Sequence, residues 1–556
     1  MGRKRVEHSI CPSRLKLSCV TDSAAAPVRS HEYDHHPMGK LSRQEKLLAF
    51  SGVLTVLFLT SLNLTVVGTA LPRIIAELQG FQLYAWAFTA YSLTQTVSLP
   101  VYGRLSDLYG RKKVLLFGIL LFSASSALGG FAQSMPQLIV VRALQGLGGG
   151  ALTSMAFSAI GDIFTPRERG KYNGFTGAVF GISSVVGPLV GGVITDTIGW
   201  RWVFFVNVPI ALVAFYVISR FFPGPISRAT GKVDLPGTAL LVLGVVPLLL
   251  ALTFGGVDLA WSSAPMLALF AMALVMLVAF VVRQRMATDP ILDLQLFKDR
   301  TFTMANIGGF LTGAGMFGAI IYLPLYIQGV QGASAAASGF ALAPLMLGMV
   351  LSSTIIGLRV SRTGRYKRQI LLGLVTMVIG FVLVATLKID SAMLYTVVFS
   401  VLLGLGIGPT NSLFVLAVQN AFPINKLGTV TSANMFFRQM GGTLGVAVFG
   451  AMVAASLAGY ARTSLPPGLE TLPPAAIEEI VSPNLLTSPD QMELARQQLE
   501  GVAPAGSFDA LVEGLRATLA SALGQVFLVG AALAALALLA ALFMPALELR
   551  GPTGKS

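Results

Sequence analysis

Gly103-Arg104-Leu105-Ser106-Asp107-Leu108-Tyr109-Gly110-Arg111-Lys112-Lys113 joins two long apolar runs, at about 84–102 and 114–132, through a turn too short to hold a domain. Its two glycines, seven residues apart, let two helices meet closely, and four basic residues flank a single carboxylate, Asp107. Lys and Arg collect on the cytoplasmic side of a bilayer, so this turn orients the whole chain.

The composition around it belongs to a membrane protein. Of 556 residues, 54% are hydrophobic and only 12% are charged, with a mean hydropathy of +0.74. A soluble domain does not solvate itself with so little charge. The formal net charge of +14 resides in alternate loops, which is topology, and no nucleic-acid groove is expected. Cys11 and Cys19 are the two cysteines of the chain, so no disulfide framework is expected. They share the basic stretch 1–46 with His8, His31, His35 and His36, in a spacing that fits no usual zinc pattern, so no metal site is expected. That stretch has no apolar run with a cleavage site and reads as a flexible tail, dispensable up to Met38.

Apolar runs long enough to cross a bilayer lie at about 48–71, 84–102, 114–132, 137–160, 173–194, 202–221, 237–256, 265–282, 303–327, 338–357, 369–387, 392–416, 430–459 and 523–545. Loops after even-numbered spans hold twenty Lys and Arg, against six after odd-numbered spans. That alternation supports about fourteen spans, with both termini in the cytoplasm.

The chain also repeats. Gly357-Leu358-Arg359-Val360-Ser361-Arg362-Thr363-Gly364-Arg365 echoes the opening turn 254 residues later. Gly146-Leu147-Gly148-Gly149-Gly150 is echoed by Gly404-Leu405-Gly406-Ile407-Gly408, and Gly187 and Gly191 by Gly441 and Gly445. The offset equals eight spans, so two six-span halves, 1–6 and 9–14, enclose spans 7 and 8 as an insertion. The expected fold is all-α and integral to the membrane: two six-helix bundles in parallel pseudo-repeat plus two inserted central spans. The expected division is a cytoplasmic tail over 1–46, a bundle over 47–222, the insertion over 223–285, and five spans over 286–460. An acidic, Pro-rich extracytoplasmic loop over 461–522 and a last span with its tail over 523–556 complete it.

The opening turn resembles the signature G-x-L-x-D-x-x-G-R-x-x of the major facilitator superfamily. Span 1, Leu62-Asn63-Leu64-Thr65-Val66-Val67-Gly68-Thr69-Ala70-Leu71-Pro72, resembles the L-D-x-T-[IV]-V-x-x-A-L-P run of its fourteen-span drug:proton antiporters. In span 5, Gly181 to Gly192, with Gly187, Pro188, Gly191 and Gly192, resembles the superfamily's exporter signature. As physics alone that run is a tight helix contact bent by a proline. Arg142 in span 4 matches an embedded arginine that the family associates with proton coupling, although snorkelling to the nearby surface is the alternative. Arg438 in span 13, followed by Gln439, Gly441, Gly442 and Gly445, resembles an R-Q-x-G-G-x-x-G run of the fourteen-span members.

The resemblance implies a gate at the cytoplasmic ends of the halves, built from Gly103, Asp107, Gly110, Arg111 and Lys112 with Gly357, Gly364 and Arg365. Leu108 departs from it, standing where a basic residue is frequent. Asn63 departs too, since the family usually has Asp there and Asn cannot titrate. No carboxylate is expected deep in a span. Any proton coupling then falls to Asp107 or Asp162 inside or Glu77 outside, and the cavity should be electropositive, favouring anionic or zwitterionic amphiphiles. Further cavity candidates are Tyr91, Gln95, Asn306, Tyr322, Tyr326, Asn411 and Asn434; singly, each reads more readily as helix packing.

The expected function is secondary active export of amphiphilic compounds by alternating access, of the multidrug-efflux antiporter type. It would be powered by a proton gradient without a bound cofactor, in a monomer of the plasma (inner) membrane. A lipid or metabolite exporter is the alternative within transporters, and a non-transporting receptor or scaffold the alternative outside them. Enzyme and ATPase readings fail on sequence. Gly551-Pro552-Thr553-Gly554-Lys555-Ser556 lacks the first phosphate-loop glycine, Leu549 standing in its place, and every histidine lies in the tail.

Overall fold

The computed structural model describes residues 42–549, except 79–82, 225–230, 256–258, 334 and scattered positions between 468 and 505. The readings placed on residues 1–41 and 550–556, including both cysteines, all four histidines and the terminal Gly-Lys-Ser, lie outside the described residues. The described residues build fourteen long helices: α1 (Arg43–Leu78), α2 (Tyr84–Tyr109), α3 (Arg111–Gly130), α4 (Met135–Ile163) and α5 (Pro166–Thr197). Then come α6 (Trp202–Phe221), α7 (Leu235–Phe254), α8 (Ala264–Met286), α9 (Arg300–Leu325), α10 (Ala335–Thr363), α11 (Lys367–Ala385), α12 (Met393–Ala421), α13 (Leu427–Thr463) and α14 (Ser507–Leu542).

Thirteen of these are long and apolar enough to span a bilayer. The fourteenth, α2, carries Ser92, Thr94, Gln95, Thr96 and Ser98, largely covered by neighbouring helices. A helix enclosed by protein does not need an all-round apolar surface.

The boundary that departs furthest from the expected one is the start of the last span. The last helix starts at Ser507, sixteen residues before 523, so the end of the supposed loop is helical. Leu511, Leu515, Leu519 and Ala522 recur at helical spacing and are buried against the second half. This extension buries an apolar stripe inside a segment whose overall charge hid it.

The turns at Gly110 and Gly364 take φ of +90° and +70°, where side chains with a Cβ are strained. Each lets one helix end and the next begin at once. Glu168 and Thr165 form a reciprocal cap at the start of α5, satisfying backbone N–H groups that the helix leaves open.

The core is divided unevenly. Buried apolar residues of both halves, from Phe164 and Leu115 to Tyr366, Val418 and Leu427, merge into one cluster at the end carrying the 103–113 and 357–368 turns, the basic end. At the opposite end they separate into a first-half cluster around Trp200 and Phe204 and a second-half cluster around Phe381, Phe449 and Leu515.

Candidate functional site: a one-ended lock and a buried polar network

The two halves are tied at the basic end. Asp107, in the last turn of α2, accepts from the backbone N–H groups of Gly428 at 3.0 Å and Thr429 at 2.8 Å. It also accepts from the Thr429 hydroxyl at 2.8 Å. These amides lie in the first turn of α13, where N–H groups lack partners within the helix and the dipole favours an anion. Arg111 then bridges two carboxylates, Asp107 at 3.3 Å and Asp162 at 2.6 Å, all three buried. Gly103 makes the approach possible, since a Cβ there would lie 2.7 Å from the Ser432 Cβ and 2.9 Å from the Gly428 carbonyl.

A second seam joins α5 to α10. A Cβ at Gly170 would stand 2.9 Å from the Gly357 carbonyl, and one at Gly174 would stand 2.9 Å from the Ser353 carbonyl. The Asn173 carbonyl accepts from Ser412 at 3.3 Å, and Gln419 of α12 donates to the Phe157 carbonyl at 3.1 Å. Among the described residues, the hydrogen bonds joining the halves gather toward this end.

The inserted pair contributes something no sequence reading assigned. Helix α7 packs against both α2 and α13, the two helices that Asp107 joins. The segment after α8 holds Arg104 of α2 through Asp289 at 3.1 Å, and Lys426 before α13 through Asp293 at 3.4 Å. Asp234 accepts from Arg283 and Gln284, tying the start of α7 to the end of α8. The alternation of charge was visible in sequence, but these pairings join residues up to 185 positions apart.

Several expected gate members stand elsewhere. Arg365 is exposed, with its backbone N–H on Thr363, and Lys112 is half-buried away from the Asp107 contacts. The Gly364 carbonyl accepts from Leu549, so that corner holds the chain's end segment. Position 361 of the second turn is Ser, not Asp, which leaves the lock one-sided in chemistry. Asp162, the expected coupling candidate, lies at the span end, in the last turn of α4, and is buried.

Within the first half, Asn63, Arg142 and Gln145 are brought together, all fully buried. Arg142 does not snorkel. Its Nε donates to the Ala87 carbonyl at 3.1 Å, its Nη1 to Gln145 Oε1 at 2.7 Å, and its guanidinium lies 4.4 Å over the Tyr91 ring. Gln145 donates to Asn63 Oδ1 at 3.1 Å, and Asn207 donates to the same oxygen at 3.3 Å. Arg438 is apart from them on α13, half-buried, with the Met435 sulfur 4.0 Å from Nη2.

The remaining candidates scatter. Tyr91 is sealed behind Arg142 and Gly149. Gln95 donates to Thr153, while Asn434 donates to Asn306 and to the Ala305 carbonyl, tying α13 to α9. Tyr322 donates to the Val446 carbonyl and Tyr326 to the Lys388 carbonyl, so both hold helices together. Asn411 and Gln439 are half-buried. On the span-5 run, Gly187 and Gly191 pack on Thr65 and Thr69 of α1, and Gly181 on Val350 of α10, whereas Pro188 is exposed and Gly192 has open space. No cluster of three or more His, Cys, Asp or Glu suited to a metal occurs among the described residues.

A family model described as Major Facilitator Superfamily matches residues 53–446. Multidrug transporter protein MdtP of Bacillus subtilis (strain 168) is 42% identical over 440 residues, covering 79% of this chain and 81% of its own. Multidrug resistance protein 3 of the same organism is 39% identical over 399 residues, covering 72% and 78%. The efflux pump FUS6 of Gibberella fujikuroi is 31% identical over 440 residues, covering 78% and 79%. Among solved structures, the human organic anion transporter MFSD10 (TETRAN) matches with a TM-score of 0.56 at 15% identity, covering 88% of this chain and 99% of its own. The proton:xylose symporter XylE matches with a TM-score of 0.57 at 12% identity, covering 92% and 98%. At such identities the structures share the fold alone.

Proposed function

Because the chain belongs to the Major Facilitator Superfamily, we propose that it is a secondary active exporter of amphiphilic compounds, of the multidrug-efflux type, working by alternating access. The printed functions of its relatives, multidrug transport and efflux, support the substrate class. The observation that carries the mechanism is the uneven core: one shared cluster at the basic end and two separate clusters at the other. A pore would need no such asymmetry, whereas a rocker needs a closure at one end that can be undone.

In this reading the basic end faces the cytoplasm, following the charge bias of its loops, with both termini inside and a single chain in the plasma (inner) membrane. The cavity opens outward while Asp107 caps α13, and closes outward when that cap breaks. A proton gradient supplies the energy without a bound cofactor. Asp162, whose Oδ1 has no hydrogen-bond partner while Oδ2 holds Arg111, is the carboxylate placed to take a proton as the lock opens. Protonating it would loosen Arg111 and, through Arg111, Asp107.

Dye export from proteoliposomes tests this reading. Efflux should follow an imposed pH gradient, ignore ATP and fall at least tenfold in Asp162→Asn. Efflux that requires ATP, or none for any amphiphile in a panel of cationic, neutral and anionic probes, would overturn it.

A further inference from the structure

We propose that the buried network of Asn63, Arg142 and Gln145 is an anion site, taking a compact monovalent anionic group such as a halide or the carboxylate head of an amphiphile. The inference rests on the export reading and narrows its substrate or co-substrate class.

The argument begins with an imbalance of charge. Arg142 is fully buried in α4 and, like every arginine, stays protonated. Among the described residues it forms no ion pair, and its partners are a carbonyl, an amide oxygen and the face of Tyr91. A buried guanidinium is costly unless a counter-charge stands near, and neutral acceptors offset only part of that cost.

The second observation is an imbalance of donors. Arg142 Nη2, Asn63 Nδ2 and the Tyr91 hydroxyl are all buried without a close partner, and the Asn63 amide faces that hydroxyl, so even if the two pair, one donor of the pair and Arg142 Nη2 stay unused. Arg142 and Asn63 flank Gln145, which accepts from the first and donates to the second. The Asn63 amide cannot be turned to relieve this. Its Oδ1 already accepts from Gln145 and Asn207, and reversing it would set donors against both. Asn207 Oδ1 is an unpaired acceptor nearby, but it is neutral and cannot balance Arg142. One fixed positive charge, an idle N–H donor on Arg142 and a further idle donor on the Asn63–Tyr91 pair are what an anion satisfies and what a cation or proton does not. Helices enclose the site, so loading and release accompany movement of α1 against α4.

Saturation binding to the purified full chain, with radiolabelled decanoate, radiolabelled decyltrimethylammonium and bromide as probes, tests the assignment. Wild-type protein should bind decanoate or bromide saturably, and Asn63→Asp, which installs a counter-charge inside the network, should weaken that binding at least tenfold. Asn63→Ala keeps the Arg142 charge but removes one donor and should weaken it several-fold, which covers a failure of Asn63→Asp to fold. Bromide displacing decanoate assigns the site to both sources; bromide binding alone assigns it to the free ion, and decanoate alone to the amphiphile head. Absence of saturable binding by either anion, or equal affinity in wild type and the folded variants, overturns the proposal. Gradient-driven export of decyltrimethylammonium by a protein that binds neither anion would remove this inference and leave the export reading standing.

Discussion

Asp107 shows how one side chain can hold two bundles. It supplies the acceptor that the first turn of α13 lacks, and hydrogen bonds to a charged group contribute about 1.5–3 kcal/mol. Asp107→Asn should therefore weaken the closed basic end by about that amount. Maleimide labelling of Ser432→Cys from the basic side should rise at least tenfold in this background; unchanged labelling would mean that Asp107 does not hold the gate. The signature turn exposed this residue in sequence. Its partner amides could not be found there, because backbone N–H groups carry no residue-type signal and the Thr429 hydroxyl that joins them is one of many in the chain.

At the opposite end, Glu77 accepts from the Arg201 guanidinium and from Trp200 Nε1 at 2.8 Å. The Arg201 hydrogen bond first, and the Trp200 one second, hold its carboxyl below the ordinary value of 4.5. A lowered folded-state pKa contributes stability above the ordinary value and loses it as pH falls through the lowered one. Thermal unfolding in detergent should show that contribution begin to fall at about pH 4.5 and disappear at more acid pH in the wild type. Glu77→Gln should lack this component of the acid dependence; identical acid profiles would dismiss the pair as a contributor.

Among the elements, the α5–α10 seam is the one most sensitive to volume. Gly170 and Gly357 meet with backbone against backbone, and a Cβ on either would stand within 2.9 Å of the other's carbonyl, so Gly357→Ala should spread this seam. Labelling of Ser432→Cys from the basic side should rise several-fold in Gly357→Ala, and unchanged labelling would dismiss this contact as part of the closure. Gly174→Leu places a side chain where the Ser353 carbonyl stands and should hold the basic end ajar, seen as faster labelling of Ser432→Cys. The repeat in sequence aligns Gly357 with Gly103 of the first turn, and in the structure Gly357 stands against Gly170.

The inserted pair was legible as two spans and illegible as a clasp. Each of its ion pairs is partly exposed, and such pairs contribute about 0–1 kcal/mol singly. Asp289→Asn with Asp293→Asn should therefore leave folding intact and shift the gate by about 1–2 kcal/mol at most. A several-fold rise in Ser432→Cys labelling is the expected result, and no change would reduce the insertion to a lipid-facing appendage.

For the whole molecule, hydropathy and loop charge determined the class and about fourteen crossings, because the bilayer imposes length and sign rules on the sequence itself, and the echoed glycines determined the doubled plan. Most edges followed as well. The start of α14 at Ser507 did not, since its buried stripe is hidden in an acidic, Pro-rich composition. Tertiary structure alone decided which polar groups act together. Asn63, Arg142 and Gln145 converge from two helices, with Asn207 from a third, and Asp107, Arg111 and Asp162 from α2, α3 and α4. Tyr322 and Tyr326, equally eligible in sequence, brace helices, whereas Tyr91 joins the Arg142 network. The reason is geometric: a helix's sequence gives the period of its faces, but which face meets which neighbour depends on rotations and crossings that involve the whole bundle.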